Sequence, residues 1–106
     1  EEAEQLIKDA LMLERIGCFA LVLEKVPAGL AKKVADALTI PVIGIGAGAG
    51  VDGQVLVTHD MIGMTHEFNP RFLRRYLDLY SEMTGAFQNY IADVKSQDFP
   101  SEKEQY

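Results

Sequence analysis

A glutamate stands where the first predicted strand of the chain ends. Glu24 follows six consecutive apolar residues, 18–23, a run too short for a typical helix and typical of a parallel strand buried on both faces. Because parallel sheets and barrels build active sites at the carboxyl ends of their strands, Glu24 is a candidate catalytic residue. Partial burial would disfavour its charged form and make it a better proton acceptor near neutral pH. Alternatively, Glu24 is simply the first exposed residue after the strand, or it pairs with Lys25 or another cation.

A glycine-rich segment follows the second predicted strand. Gly44, Gly46 and Ala49 match the spacing G-x-G-x-x-A of a dinucleotide-binding loop. That fingerprint requires a helix directly after the loop, with its N-terminus on the pyrophosphate, whereas this sequence continues with Asp52, Gly53 and another strand. The pattern therefore favours a loop whose missing side chains allow a tight turn and the close approach of a ligand or a neighbouring strand.

Other polar residues carry weaker signals. His59 and Asp60 follow the third predicted strand and could titrate, donate hydrogen bonds or bind a metal ion. Neighbouring strand residues point to opposite faces and rarely share an ion, so capping of loop hydrogen bonds is the favoured role. His66 and Glu67 have no identified partner and are predicted to be surface residues. Cys18 begins its strand, away from the presumed active edge, and is predicted to pack as a small side chain rather than act as a nucleophile.

Amphipathic helices are predicted between and after these strands. Apolar residues recur at spacings of three and four, which places them on one helix face. Gly17 would end the first helix, Pro27 and Pro70 would begin the second and third, and a fourth would follow Gly85. The predicted helices cover residues 3–15, 27–38, 70–80 and 86–94, the strands cover residues 18–23, 42–45 and 54–57, and residues 96–106 form a polar tail.

This order of elements predicts an α/β fold with a parallel sheet between helices. Three strands that are apolar on both faces cannot cover themselves with so few helices, so further strands are expected from elsewhere. We therefore predict the last part of a (β/α)8 TIM barrel, with residues 1–95 in the barrel domain and residues 96–106 as its tail. The alternative is a small self-sufficient α/β module with an open strand edge.

Composition narrows the class of protein further. The 106 residues carry a net charge of -6, which argues against a nucleic-acid partner. One cysteine cannot form an internal disulfide, and no apolar stretch approaches the roughly 18 residues of a membrane span, so we expect a soluble, cytoplasmic protein. The sequence opens without Met and directly into a helical pattern, as if it were joined in midstream.

Three motifs occur together, LVLEKVP at residues 21–27, IPVIGIGAG at residues 40–48 and DGQVLVTHD at residues 52–60. In this order they resemble the ketopantoate hydroxymethyltransferase family of pantothenate biosynthesis. The resemblance runs from the first helix to about Pro100 and covers the C-terminal two fifths or so of such an enzyme. It implies that the chain supplies strands six to eight and the closing helices of a (β/α)8 barrel, within an assembly of many subunits.

The resemblance also implies an activity. The family transfers a hydroxymethyl group from 5,10-methylenetetrahydrofolate to 3-methyl-2-oxobutanoate, giving 2-dehydropantoate, with a Mg²⁺ ion that chelates the 2-oxo acid. Its proton acceptor falls on Glu24, and Ile45, Val55 and Val57 would form the apolar wall around the isopropyl group of the substrate. The family's metal ligands and substrate-holding lysine belong to strands outside this chain, so the N-terminal part of the enzyme is the expected partner and this chain alone is expected to be inactive.

Two alternatives to this function remain open. One is a standalone α/β binding module whose glycine-rich loop holds a phosphorylated ligand. The other is a structural fragment that associates with other copies through strand edges and through the apolar stripe from Phe72 to Tyr80. Ligand-dependent thermal stability would indicate the first, and large species that do not respond to ligand would indicate the second.

Overall fold

Seven elements of secondary structure follow one another in the computed structural model, which describes residues 1–106. The chain forms two compact units, the first of residues 1–57 and 70–73 and the second of residues 58–69 and 74–106. No helix has the length and apolar character needed to span a lipid bilayer. The elements are α1 (Glu2–Arg15), β1 (Leu21–Glu24), α2 (Ala28–Ala37), β2 (Val42–Ile45), β3 (Gly53–Gln54), α3 (Thr58–Met61) and α4 (Leu79–Ser96).

The first unit is built on a three-stranded sheet in the order β1-β2-β3. Both strand pairs are parallel, with Leu21 opposite Val42 and Ile43 opposite Gly53. Helix α2 connects the adjacent parallel strands β1 and β2, which is the connection that parallel pairing requires. The predicted α/β class with a parallel sheet is confirmed.

The core of the first unit lies on one face of this sheet. Leu23 of β1 and Val42 of β2 are buried there against Ala31 and Val34 of α2. The spacing of three residues puts Ala31 and Val34 on one helix face, as the sequence pattern predicted. Ala10 of α1 joins the same cluster, so both helices cover the same side of the sheet.

The opposite face of β1 has no cover within the chain. Val22 points away from the core, because successive strand residues alternate between faces, and it is 63% exposed. The predicted strand over residues 18–23 was also too early by three residues at its start, since β1 begins at Leu21 and Phe19 is 89% exposed. The prediction that the strand is buried on both faces is therefore wrong for this chain, because its helices pack on one face only.

A single carboxylate holds the end of α1 against the turn that follows α2. Glu14 Oε1 accepts hydrogen bonds from the backbone N–H of Thr39 at 2.6 Å, from the Thr39 hydroxyl at 2.8 Å and from the Ile40 N–H at 2.9 Å. These donors, led by the Ile40 N–H, lower the pKa of Glu14 below its ordinary value. The contact fixes the entry into β2 at the side of the sheet that carries both helices.

The Glu14 contact predicts a pH-dependent contribution to stability. Because its pKa is lower in the folded protein, the stabilisation is complete above the ordinary value of 4.5 and disappears as the pH falls through the folded-state value. We expect Glu14→Gln, which keeps an acceptor oxygen but cannot titrate, to flatten the fall of the thermal midpoint below pH 4.5. Glu4→Gln is the control, since Glu4 accepts no hydrogen bond from a distant segment; an equal flattening in both variants would contradict the assignment.

The second unit consists of the short helix α3, a loop and the long helix α4. Asp78 caps α4, because its carboxylate accepts from the backbone N–H of Ser81 at 3.2 Å and from the Ser81 hydroxyl at 2.7 Å. Helix α4 continues through Gly85 to Ser96 and ends at Gln97 in a left-handed conformation. The predicted helix start after Gly85 was therefore wrong, since one glycine does not interrupt an otherwise helical segment.

The helix predicted over residues 70–80 is also absent. The backbone N–H groups of Tyr76, Leu79 and Tyr80 instead donate to the carbonyls of Met61, Ile62 and Gly63, at 2.8, 3.0 and 2.9 Å. The guanidinium of Arg75 donates to the carbonyls of Thr65 and Phe68 and to the side chain of Asn69. Pairing with the segment after α3 thus replaces the hydrogen bonds that a local helix would have made.

Candidate active site at the carboxyl edge of the sheet

Glu24 is the last residue of β1 and lies at the carboxyl end of the parallel sheet. Its neighbour Leu23 is buried against the helices, so the Glu24 side chain points to the opposite face of β1. The predicted position at a strand end is confirmed, but the predicted partial burial is not observed, because the Glu24 side chain is exposed. The Glu24 carboxylate makes no hydrogen bond or ion pair within this chain.

The backbone after Glu24 holds this carboxylate at a defined place. The N–H of Lys25 donates to the carbonyl of Ile45 at 2.9 Å, which extends the pairing of β1 and β2 by one residue. Lys25 itself adopts a left-handed conformation with φ +54°, which turns the chain sharply towards α2. Non-glycine residues in this region are uncommon and cluster at functional sites, so the turn after Glu24 is a marked feature of the strand edge.

The sheet brings Ile45 next to Glu24. The two residues are register partners in β1 and β2, and residues opposite each other in paired strands share a face. Val55 follows β3 and donates its N–H to the carbonyl of Gly44 at 3.0 Å, which continues the pairing of the two chain segments. Ile45 is buried, whereas Val55 and Val57 are 44% and 51% exposed. The predicted third strand over residues 54–57 is shorter, since β3 covers only Gly53–Gln54.

The glycine-rich loop after β2 is a tight, internally bonded turn. Gly46 and Gly48 have φ values of +63° and +79°, which favour glycine. The side chain of Gln54 donates to the carbonyl of Gly48 at 2.8 Å, and Asp52 accepts from the N–H of Val42 at 2.8 Å. The loop leads into β3 rather than into a helix, so it lacks the helix N-terminus that a dinucleotide-binding loop needs.

Phe72 belongs to this edge, although its sequence position did not indicate it. A Cβ atom on Gly46 would lie 2.9 Å from Cδ1 of Phe72, so the aromatic ring lies directly on the glycine backbone. Phe72 and Arg71 line a cleft of about 620 Å³ together with Lys25, Pro27, Gly46 and Gly48. The apolar spacing at residues 70–80 was interpreted as one face of a helix, so the contact of Phe72 with Gly46 was not predicted.

The remaining candidates are placed elsewhere. His59 and Asp60 lie in the four-residue helix α3, so the prediction that they follow a strand end is wrong; the segment after β3 turns into a helix instead. Asp60 accepts from the N–H of Gly63 at 3.1 Å through its backbone carbonyl, and neither side chain makes a hydrogen bond. Cys18 is a free, half-buried thiol before β1 and not within the strand.

His66 has a partner that the sequence did not reveal. Its Nε2 lies 2.8 Å from Oδ1 of Asp78, and its ring centroid lies 4.1 Å from that of Tyr80. The hydrogen bond to His66, followed by those from Ser81, lowers the pKa of Asp78 from 3.8 to about 2. His66 and Asp78 line a cavity of about 530 Å³ in the second unit, where the pair holds the N-terminus of α4. Glu67 is exposed, as predicted.

No three His, Cys, Asp or Glu side chains lie close enough together in this chain to hold a metal ion. The residues of this chain therefore do not form a site for a divalent cation of their own.

The family model and the relatives that match this chain all carry the name of one enzyme family. The family model described as ketopantoate hydroxymethyltransferase matches residues 1–102. The chain is 74% identical over 106 residues to the 3-methyl-2-oxobutanoate hydroxymethyltransferase of Christiangramia forsetii, and 71% identical over 106 residues to that of Flavobacterium johnsoniae. In both cases all of this chain aligns with 39% of the relative.

A third relative, from Parabacteroides distasonis, is 71% identical over 105 residues, which are 99% of this chain and 38% of the relative. The chain thus spans about two fifths of the length of the curated relatives that it matches. The match extends from α1 through α4 and includes the three motifs around Glu24, the glycine-rich loop and β3. The chain belongs to the ketopantoate hydroxymethyltransferase family.

Proposed function

We propose that this chain forms part of an enzyme that transfers a hydroxymethyl group from 5,10-methylenetetrahydrofolate to 3-methyl-2-oxobutanoate, giving 2-dehydropantoate. The observation that carries the proposal is the position of Glu24, a free carboxylate at the carboxyl end of a parallel strand in a chain of this family. Active sites of parallel α/β folds lie at that end of the strands.

The sheet is proposed to be part of a (β/α)8 barrel, with β1, β2 and β3 as its sixth, seventh and eighth strands. Two features support this. The outer edges of β1 and β3 have no partner strand in this chain, and Val22 and Glu24 are exposed on the face of β1 that does not carry the helices. In a closed barrel that face would look inward, and strands from the N-terminal part of the enzyme would pair with the two edges. That part is the proposed partner, within a homo-oligomer of complete chains.

Glu24 is proposed to remove the proton from C3 of 3-methyl-2-oxobutanoate. The C–H bond breaks, its electron pair moves into an enolate with the neighbouring ketone, and the proton goes to a carboxylate oxygen of Glu24. C3 of the enolate then bonds to the one-carbon unit as the first of that unit's two C–N bonds to the folate breaks. Water replaces the second nitrogen and supplies the hydroxyl oxygen, and the proton from C3 and one proton of the water end on the two nitrogens of the departing tetrahydrofolate.

The apolar residues beside Glu24 are proposed to hold the isopropyl group of the substrate. Ile45 is the register partner of Glu24, and Val55 continues from β3 on the far side of β2. Together with Val57 they would form an apolar wall that positions C3 against the carboxylate. An apolar wall also keeps water away from the enolate.

The Mg²⁺ ion that the resemblance implies is proposed to bind outside this chain. A bound divalent cation would stabilise the enolate oxygen. The acidic ligands would come from the N-terminal part of the enzyme, since no group of potential ligands occurs here. The residues of this chain would instead contact the carbon skeleton of the substrate, Glu24 at C3 and the apolar residues at the isopropyl group.

The proposal is tested with the full-length protein that contains this chain. We expect release of tritium from C3-labelled 3-methyl-2-oxobutanoate in the presence of Mg²⁺, and formation of 2-dehydropantoate when 5,10-methylenetetrahydrofolate is added. A protein that releases no tritium, but whose thermal midpoint rises with inorganic phosphate or a nucleotide, would contradict the transferase and indicate the phosphoryl-binding module instead.

A further inference from the structure

A second row of residues lies below the proposed reaction site, on the same face of the sheet. Val22, Ile43 and Gly53 are register partners across β1, β2 and β3, and we call them the lower row. Each precedes by two positions a residue that is proposed to contact the substrate, and residues two apart along a strand share a face. The lower row therefore lies one layer farther from the carboxyl edge of the sheet.

The backbone does not require a glycine at position 53. Four glycines of the chain have positive φ values, but Gly53 is not one of them, so alanine could adopt its backbone conformation. A glycine within a strand often marks a place where another group approaches closely. That group is Ile43 here, because a Cβ atom on Gly53 would lie 2.8 Å from Cδ1 of Ile43.

The Cδ1 methyl group of Ile43 fills the space above Gly53. Neighbouring strands lie about 4.8 Å apart, so the half-buried Ile43 side chain extends from β2 towards β3. Apart from the residues adjacent to Gly53 in the chain, no other atom lies within 4 Å of the Cβ position. One methyl group thus determines how deep the apolar face is at this point.

The orientation of the substrate directs its methyl groups towards this row. In the proposed reaction, C3 of the 2-oxo acid lies beside Glu24 at the carboxyl edge and must stay accessible to the one-carbon unit. The folate is too large to enter between the strands, so it approaches from the open edge. The two methyl groups on C3 therefore point away from that edge, into the sheet face that carries Ile43.

We propose that Ile43 is a specificity-determining residue of the reaction, because its Cδ1 methyl group forms the floor beneath the branched end of the 2-oxo acid. The proposal rests on the proposed function, in which Ile45 and Val55 contact the isopropyl group from the sides. One methylene group in an apolar site changes kcat/KM by about 10–200-fold, so this floor limits the length of the chain beyond C3. Gly53 is a positioning residue that acts through Ile43.

Ile43→Val tests the proposal, because it removes Cδ1 and keeps the rest of the side chain. The full-length protein is assayed with Mg²⁺ and two acids labelled with tritium at C3, 3-methyl-2-oxobutanoate and the homologue with one more methylene group, 3-methyl-2-oxopentanoate. We expect the ratio of kcat/KM for the longer acid to that for the shorter acid to rise about tenfold. An unchanged ratio would overturn the proposal.

Gly53→Ala should change the same ratio in the opposite direction. The new Cβ atom takes the place of Cδ1 of Ile43, which then moves towards the substrate, so the longer acid should lose more kcat/KM than the shorter acid. Combining Gly53→Ala with Ile43→Val removes the atom that collides. The double variant should return the ratio to within about threefold of that of the unaltered protein, because the two residues are in contact.

Ile7→Val is the matched control for the loss of one carbon. Ile7 packs against the core from α1, on the other side of the sheet, so its substitution should leave the ratio of the two acids unchanged. A merely structural role of Ile43 would lower kcat/KM for both acids equally and lower the thermal midpoint, as in Ile7→Val, and this result would overturn the proposal. The Ile43→Val ratio is decisive even if Gly53→Ala does not fold.

The unaltered protein separates this proposal from the proposed function. Absence of tritium release from both acids in the unaltered protein would refute the transferase itself. Normal tritium release by the unaltered protein, with the same ratio of the two acids in Ile43→Val, would refute the role of Ile43 alone.

Discussion

Replacing Glu24 by glutamine in the full-length enzyme should lower the release of tritium from C3 of 3-methyl-2-oxobutanoate by about 10²–10⁴-fold, the range that general-base catalysis contributes. Glutamine has nearly the same shape, but it cannot accept a proton from carbon. The side chain makes no hydrogen bond or ion pair, so the substitution should not change the thermal midpoint. The measurement is the initial rate of tritium release at saturating 2-oxo acid.

Two controls accompany this variant. Glu67→Gln changes another exposed, unpaired glutamate in the second unit and should leave the rate of tritium release unchanged. Binding of 3-methyl-2-oxobutanoate to Glu24→Gln, measured at equilibrium, should stay close to that of the unaltered enzyme, which separates loss of chemistry from loss of substrate. A Glu24→Gln variant that releases tritium at the normal rate would show that another group removes the proton.

Substitution of Gly63 by alanine should cause the largest loss of stability among the glycine variants. Gly63 is buried with φ +71°, and a Cβ atom there would collide with the carbonyl oxygen of Leu77. A left-handed alanine is disfavoured by about 1–2 kcal/mol, and the overlap adds about 1–3 kcal/mol. The collision also disturbs the bond from the Tyr80 N–H to the Gly63 carbonyl. We expect a clearly lower thermal midpoint and faster hydrogen exchange at the start of α4.

Gly85→Ala is the matched substitution with the opposite expected sign. Gly85 lies in the interior of α4, and a Cβ atom there meets no atom within 4 Å. Alanine favours the helix over glycine by about 0.5–1 kcal/mol, so the thermal midpoint should rise slightly. If both variants lowered the midpoint equally, the steric account of Gly63 would be wrong.

Local patterns were sufficient to predict the elements on which the site depends. The apolar spacing of α1 and the unbroken apolar run of β2 placed both elements within a residue of their observed bounds. The same patterns put Glu24 at the end of β1. These elements satisfy their backbone hydrogen bonds locally or with an adjacent parallel strand.

The segment after Pro70 could not be predicted in this way, because its hydrogen bonds are made with a distant part of the chain. The spacing of Phe72, Tyr76 and Tyr80 suits a helix, yet the N–H groups of Tyr76 and Tyr80 are taken by the carbonyls of Met61 and Gly63. Periodicity reports which side chains could share a face, but it contains no information on a competing acceptor elsewhere.

The sequence predicted the residues of the candidate site that lie on strands, but not those that a loop contributes. Arg71 and Phe72 meet the turn after β1 through a loop, and nothing in their spacing relates them to Gly46 or Lys25. One signal was available in the sequence, since a glycine at position 46 allows another group to approach its backbone closely. The sequence alone does not name that neighbour.

Exposed apolar side chains beside the open sheet edges affect how this polypeptide can be produced. Val22, Val55 and Val57 present apolar surface next to unpaired strand edges, which is a template for association with other copies. Produced by itself, this chain is therefore expected to associate with other copies. Co-expression with the N-terminal part proposed above should reduce that association.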